Sequence, residues 1–227
     1  MNFELQTWNQ QSETTIKILS SRPLTSDPGL SDLRTFPTFF LYWLMIEPTA
    51  GTLLIANPHL DDPNFLRTVI FLCEHRREGS FGFVLNRKLD YSVDELVPEL
   101  ADFRLPVYEG GPVELNTLHF LHQYPNEIPD GREICDGVFW GGDFEKLIGL
   151  IQSRTIDTTK IRFFLGYSGW GEEQLDAEMA EKTWIVSAAS AGFIFTADEK
   201  ELWKDVLKSL GGEYNLIINA PLDPRLN

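Results

Sequence analysis

The sequence predicts an α/β fold: a mixed β-sheet with helices packed on it, in a single compact domain. Three observations predict it. Apolar runs of strand length, such as Thr52–Ala56, Thr68–His75 and Arg162–Tyr167, are bounded by turn residues. Other segments carry apolar residues at helical spacing behind a capping residue, as in Asp143 followed by Phe144, Leu147, Ile148 and Ile151. The two kinds of segment intermix along the chain, with a hairpin and several crossover connections. A chain of 227 residues that is 43% apolar and 12% aromatic has enough material for one large core.

In chain order, residues 1–44 stand apart. They are rich in Ser, Thr, Gln and Asn, hold no sustained period, and contain the loop signal Arg22-Pro23-Leu24-Thr25-Ser26-Asp27-Pro28-Gly29. We expect a poorly ordered N-terminal segment there, with Met45 as an alternative start and the domain spanning 45–227. Thr52–Ala56 is the first buried strand. Asn57–Asn64 is a loop with two prolines. Thr68–His75 and Phe81–Asn86 form a hairpin through Arg76–Ser80. Ser92 and Glu95 have capping-box spacing and open a short helix that Pro98 curtails. Val107–Glu109 leads to a turn at Gly110-Gly111-Pro112, and Thr117–His122 and Ile134–Trp140 are further strands. Asp143 then caps a helix. After the strand Arg162–Tyr167, Gly166, Gly169 and Gly171 predict a sharp turn, and Glu172–Glu181 a helix with acids in its first turn. Trp184–Val186 is a strand. Thr196 and Glu199 repeat the capping box before a helix that turns Leu202, Trp203, Val206, Leu207 and Leu210 inward and ends at Gly211.

The formal charge of −15 repels nucleic-acid backbones and anionic membranes, and basic residues come at most in pairs, as in Arg76-Arg77 and Arg87-Lys88. Direct binding to nucleic acid is therefore not expected, nor is a membrane. Phe39–Ile46 is too short to span a bilayer and lacks the basic leader of a signal peptide. Only two cysteines are present, Cys73 and Cys135, with no disulfide framework, which fits the cytoplasm. The histidines are His59, His75, His119 and His122. No CxxC accompanies them, and His119 and His122 fall on opposite faces of a regular strand, so neither a metal nor a cofactor is expected.

Two groups of residues are candidates for a ligand or partner surface. Asp62, Asn64, Arg67, Asn86 and Arg87 are polar residues beside strand ends. Guanidinium groups clustered there would bind a carboxylate or phosphate; the alternative is a network that satisfies loop backbone groups. The second group surrounds the glycine turn: Gly110, Gly111, His122, Tyr167, Ser168, Gly169 and Trp170. A strand–glycine–helix junction is where α/β proteins place sites. Glu172 and Glu173 stand where a phosphate would sit, and no lysine follows, so this is no P-loop. Gly166 and Ser168 match a nucleophile elbow, but its last glycine is replaced by Trp170. The plainer alternative is a tight corner with Tyr167 and Trp170 as packed aromatics.

Several stretches together resemble one family, the bacterial YqgE/AlgH proteins. They are Gly51–Ala56, Asp62–Phe65, Arg67–Val69, Cys73–His75, Gly82–Arg87, Gly110–Val113, Leu121-His122, Leu165–Gly171, and Gln174-Leu175 with Glu178 and Trp184. The resemblance spans about Met45 to Gly212. It implies an α/β sheet protein of the bacterial cytoplasm in a largely uncharacterised family, one branch of which is named for the regulation of alginate synthesis. It brings no settled catalytic residue. Two positions depart from the family pattern: Lys88 stands where a proline is usual, and Glu173 where a glycine is usual. The expected function is a regulatory or interaction protein acting through an unidentified protein partner or small ligand. The alternatives are a serine-dependent hydrolase or transferase using Ser168, and a direct or indirect transcriptional regulator.

Overall fold

The computed structural model describes residues 47–196, 198–212 and 214–218. The expectation for residues 1–44, and for Met45 as a start, lies outside them. The described residues hold ten strands: β1 (Thr52–Ala56), β2 (Val69–Arg76), β3 (Gly79–Val84), β4 (Lys88–Ser92), β5 (Pro106–Glu109), β6 (Val113–His122), β7 (Arg132–Cys135), β8 (Val138–Trp140), β9 (Ile161–Trp170) and β10 (Trp184–Ala188). The helices are α1 (Phe144–Gln152), α2 (Gln174–Ala180), α3 (Ala191–Ile194), α4 (Leu202–Leu210) and α5 (Tyr214–Ile217). The sheet runs β10-β1-β2-β3-β9-β6-β8-β7, with β5 also on β9 and β4 on β5. Among the described residues β5–β9 is the parallel ladder and the others are antiparallel, so the sheet is mixed, as expected.

The sheet curls until its β7 edge returns to β1 and β2. Arg132 Nη1 on β7 lies 2.6 Å from Glu74 Oε2 on β2. Gly51, just before β1, comes so close to β7 that a Cβ there would sit 2.9 Å from the Cys135 Cβ. Inside the curl lies one core, with Leu53, Ile55, Phe71, Phe83, Leu121 and Phe164 packed against Trp203, Val206 and Leu207 of α4. On the outside, α1 covers Phe120, Phe163 and Leu165 with Leu147 and Ile151. Helix α2 covers Leu54, Ile70, Leu72 and Val84 with Leu175.

Several local readings change. The expected single strand over Ile134–Trp140 is a hairpin, β7–β8. Asp136 and Gly137 both take positive φ, 22° and 76°, in the two-residue turn between Cys135 and Val138. The short helix behind Ser92 is two 3₁₀ turns, Val93–Glu95 and Pro98–Leu100, with the Ser92 N–H donating to Glu95 Oε1 at 3.0 Å. The last long helix starts at Leu202, several residues beyond Thr196: the Thr196 hydroxyl accepts from the Asp198 N–H and Asp198 Oδ1 from the Glu201 N–H, so that segment forms turns first.

The largest correction concerns Gly166–Gly171. The predicted corner is not there: β9 runs straight on to Trp170. Gly166, at φ +65°, instead lies opposite a bulge: β6 takes five steps from Val113 to Leu118 against two on β9, so the extra residues are on β6. The bulge changes which parity faces inward: Phe164 before it and Tyr167 after it both pack toward the inner core. The chain turns only at Gly171–Glu173, so α2 starts at Gln174 rather than Glu172.

Candidate functional site

The strand ends of the curled sheet differ in how they are closed. Trp203 of α4 donates its indole N–H to the Ala56 carbonyl at 2.9 Å, and Arg67 lies 5.0 Å from the centre of the same ring. Ala56, Val69 and Leu85 share that end, because β1, β2 and β3 alternate in direction. At the opposite end Phe81, His119, Trp140 and Tyr167 are half-buried. Their rings form a circuit. Ring centroids are 4.7 Å apart from Phe81 to Trp140, 6.3 Å from Trp140 to His119, 6.0 Å from His119 to Tyr167 and 6.1 Å from Tyr167 back to Phe81. The fully buried Phe83 lies behind them, 6.0, 5.3 and 6.4 Å from Phe81, His119 and Trp140.

Each wall residue has a local reason to be there. Phe81 and Phe83 alternate on β3 and so share a face. Gly169, opposite Phe81 on β9, leaves space that the Tyr167 ring fills; a Cβ on Gly169 would approach that ring to 3.1 Å. The hydroxyl of Thr117 donates to the Glu114 carbonyl at 2.7 Å, so His119 Nε2, 3.0 Å from the same oxygen, carries the donated proton. Nδ1 is then the unprotonated acceptor. Burial pushes the His119 pKa down to about 4, which keeps the ring neutral. Burial, then the Glu114 charge, raises the Tyr167 phenol above its ordinary value.

The residues singled out from sequence fall in separate places. Asp62, Asn64, Arg67, Asn86 and Arg87 come together around the loop before β2 and tie that loop down. Asp62 Oδ1 accepts from the Asn64 N–H at 2.8 Å, Asn86 donates to the Arg67 carbonyl at 2.8 Å and accepts from the Val69 N–H at 2.9 Å, and Arg87 donates to the Pro63 carbonyl at 2.8 Å. Arg87 also faces Glu109 at 3.8 Å. Gly110 and Gly111 pack tightly on β9: a Cβ at Gly110 would lie 2.2 Å from the Gly166 carbonyl oxygen, and one at Gly111 2.4 Å from Ser168 Oγ.

Ser168 is fully buried and donates to the Gly110 carbonyl at 3.1 Å. It lies within a strand, so no nucleophile elbow forms. Of the three glycines of the expected turn, Gly166 takes positive φ, within β9, and Gly169 and Gly171 do not. Trp170 is turned away from the ring circuit into the α2 core, where its N–H donates to Glu178 Oε2 at 2.9 Å. His122 is fully buried on the other face of β6. Its Nδ1 accepts from the Tyr124 N–H at 3.1 Å, so Nε2 donates to the Gly141 carbonyl at 2.9 Å, and burial lowers its pKa.

Sequence reasoning passed over His119, Trp140 and Phe81 as ring partners, though the alternation Phe81-x-Phe83 was available as a signal. It also passed over Arg162, which stands in an apolar run. Arg162 is buried and donates to the carbonyls of Leu85 and Ile194, each at 2.6 Å, with its guanidinium 3.8 Å from the Tyr108 ring centre. A serine beside a histidine does occur, at Ser80 rather than Ser168. Ser80 Oγ is 2.7 Å from His75 Nδ1, and His75 Nε2 is 3.5 Å from Asp176 on α2. Ser80 is buried and its backbone pairs with both β2 and β9, so the line ties α2 to the hairpin.

Among the described residues no three His, Cys, Asp or Glu side chains converge as a metal would need, and no helix is long and apolar enough to cross a membrane.

Comparison with known proteins gives the same family that the motifs suggested. A family model described as AlgH-like matches residues 53–215. A protein named UPF0301 protein from Chlorobium limicola is 44% identical over 177 residues, covering 78% of this chain and 95% of its own length. A second, from Cytophaga hutchinsonii, is 42% identical over 180 residues and is covered to 99%. Among solved structures, the AlgH protein of Pseudomonas aeruginosa aligns with TM-score 0.61 and 28% identity, over 77% of this chain and 96% of that one. A protein from Corynebacterium diphtheriae shares the fold, with TM-score 0.66 at 22% identity over 80% of this chain and 97% of its own. The match over most of the curled sheet and its covering helices, together with relatives above 40% identity, places this chain in the AlgH-like family.

Proposed function

We propose that this protein is a non-catalytic regulatory protein of the cytoplasm that acts by binding a ligand or a segment of a partner at the ring circuit of Phe81, His119, Trp140 and Tyr167. One observation carries the reading. Four half-buried rings stand together at one end of the curled sheet, where α4 closes the other end. The ends of barrel-like sheets are common ligand sites, and aromatic walls supply most of the contact area in such sites. The burial of Ser168 supports binding over acyl transfer, because a nucleophile must reach its substrate. Two unpaired cysteines fit a reducing compartment.

The test is a ligand-observed NMR screen of the full chain against small fragments of every charge type, repeated on Tyr167→Leu. The expected result is a set of binders that quench tryptophan fluorescence and lose affinity at least tenfold in the variant. Binders indifferent to Tyr167, or labelling of Ser168 by a fluorophosphonate that requires the native fold, would overturn the reading.

A further inference from the structure

The seam where the sheet closes on itself brings the chain's two cysteines to one place. Cys73 stands on β2 and Cys135 ends β7. Cys73 is fully buried in the inner core, and Cys135, half-buried, packs against that same core. Contacts between the strands bracket the pair. Next to Cys73 in the chain, Glu74 holds Arg132 of β7 at 2.6 Å. On the other side, the Leu72 carbonyl accepts from the Gly51 N–H at 2.8 Å. A Cβ on Gly51 would lie 2.9 Å from the Cys135 Cβ and 3.8 Å from its sulfur.

Both cysteines also sit at irregularities in their ladders. Leu72 pairs with Gly82 and Glu74 with Phe81, so Cys73 is the extra residue of a bulge. Glu133 pairs with Phe139 and Cys135 with Val138, so Ile134 is the extra residue beside Cys135. Bulges of this kind re-aim a side chain out of the regular pairing. The thiols also feel each other. Burial pushes the Cys73 thiol well above its ordinary value; the Arg132 charge opposes this, and the charge of an ionised Cys135 adds to it. Burial, then Asp136 and Glu133, raise the Cys135 thiol as well. At neutral pH both are therefore protonated, and they react with a sustained oxidant rather than with traces of one.

We propose that Cys73 and Cys135 are a reversible redox pair, joined by a peroxide in a disulfide that fastens the seam where β7 returns to β2. Oxidation starts at Cys135, the thiol with access to solvent. Its thiolate attacks hydrogen peroxide and breaks the O–O bond; the sulfur becomes a sulfenic acid, and the departing oxygen leaves as water with the thiol's proton. The Cys73 thiolate then attacks that sulfur and displaces the hydroxyl, which leaves as a second water with the Cys73 proton. Two electrons pass from the sulfurs to the peroxide oxygens. A dithiol reductant returns both thiols by exchange. In a reducing compartment the resting state is the dithiol, and the bond is a transient response to oxidant. The inference stands apart from the ring circuit and its ligand.

The experiment treats the full chain, dilute and folded, with hydrogen peroxide, and reads it by intact mass and by peptide mapping without reductant. The expected product is a monomer lighter by two hydrogens, with the peptides of Cys73 and Cys135 joined. Dithiothreitol should restore the starting mass. The oxidised chain should unfold at higher urea than the reduced one, since the bond restricts the unfolded chain. Cys135→Ser should form no link and show no such shift. In Cys73→Ala, dimedone should trap a sulfenic acid on Cys135; if that core variant does not fold, dimedone added early in the oxidation of the native chain serves instead. Oxygen added at Cys135 while Cys73 stays a free thiol overturns the proposal. A disulfide between two chains overturns it too, as does a link that forms only after urea has unfolded the protein.

Discussion

His119 shows how one side chain's surroundings set its chemistry. Its ring sits between Phe83, Trp140 and Tyr167, and its one hydrogen-bonded nitrogen faces a hydroxyl whose proton is already given to Glu114. Burial lowers its pKa from 6.5 to about 4. Between those values the unfolded chain binds more protons than the folded one, so stability rises with pH there. The contribution is fully present above pH 6.5 and is lost as pH drops toward 4, a total of about 3 kcal/mol by linkage. His122 shifts in the same direction, again through burial. Urea melts at pH 7 and pH 4.5 should therefore show a smaller acid loss for His119→Phe than for the native chain, by about 2 kcal/mol. An NMR titration of the His119 ring with a midpoint near 6.5 would sink the prediction. The histidine itself was visible in the sequence. Its neutrality was not, because desolvation depends on which rings β3, β8 and β9 bring beside it.

At the scale of elements, α2 illustrates how a short helix is held. Seven residues are too few to be stable alone, so packing and anchoring must supply the rest. Leu175 enters the core outside β2 and β3, and the Glu178 carboxylate joins three partners. Its Oε2 accepts from the indole N–H groups of Trp170 at 2.9 Å and Trp184 at 2.7 Å, while Oε1 accepts from Gln174 at 3.0 Å. Glu178→Ala leaves two nearly buried indole donors without their acceptor and should cost about 2–4 kcal/mol, whereas Glu178→Gln, which keeps an acceptor oxygen, should cost less. Chemical denaturation of both variants checks this, and an alanine variant within 0.5 kcal/mol of native, about the scatter of an ordinary surface change, would contradict it. Gln174, Leu175, Glu178 and Trp184 stood among the stretches that carry the family resemblance. The sequence misplaced the helix start because Glu173 takes a left-handed conformation at φ +56°, held by Arg77 at 3.1 Å. A glycine would adopt that conformation without cost. The β7–β8 hairpin was legible in Asp136-Gly137, a strong two-residue turn signal inside what read as one strand.

For the whole molecule, the mixed sheet with packed helices followed from strand and helix periods, since those depend on near neighbours in the chain. The curl did not. It depends on the β6 bulge opposite Gly166 and on the approach of Gly51 to Cys135, contacts between segments far apart in sequence. The ring circuit is a product of that curl, which is why its four members, from β3, β6, β8 and β9, did not read as a set. Net charge, by contrast, is a whole-molecule property that sequence gives directly, and it bears on the regulatory reading proposed above. At −15 the protein is repelled by the phosphate backbone. Arg77, exposed at the hairpin tip, faces Glu172 at 3.9 Å and Glu173 at 3.1 Å, and Arg132 and Arg76 share Glu74, so these basic groups make no continuous stripe along a duplex. Any control of transcription should therefore be indirect. In a gel-shift series with genomic fragments at low salt, where electrostatic binding is strongest, the full chain should retain no DNA. Saturable retention that weakens steeply with added salt would overturn this and point to a basic surface formed only on assembly.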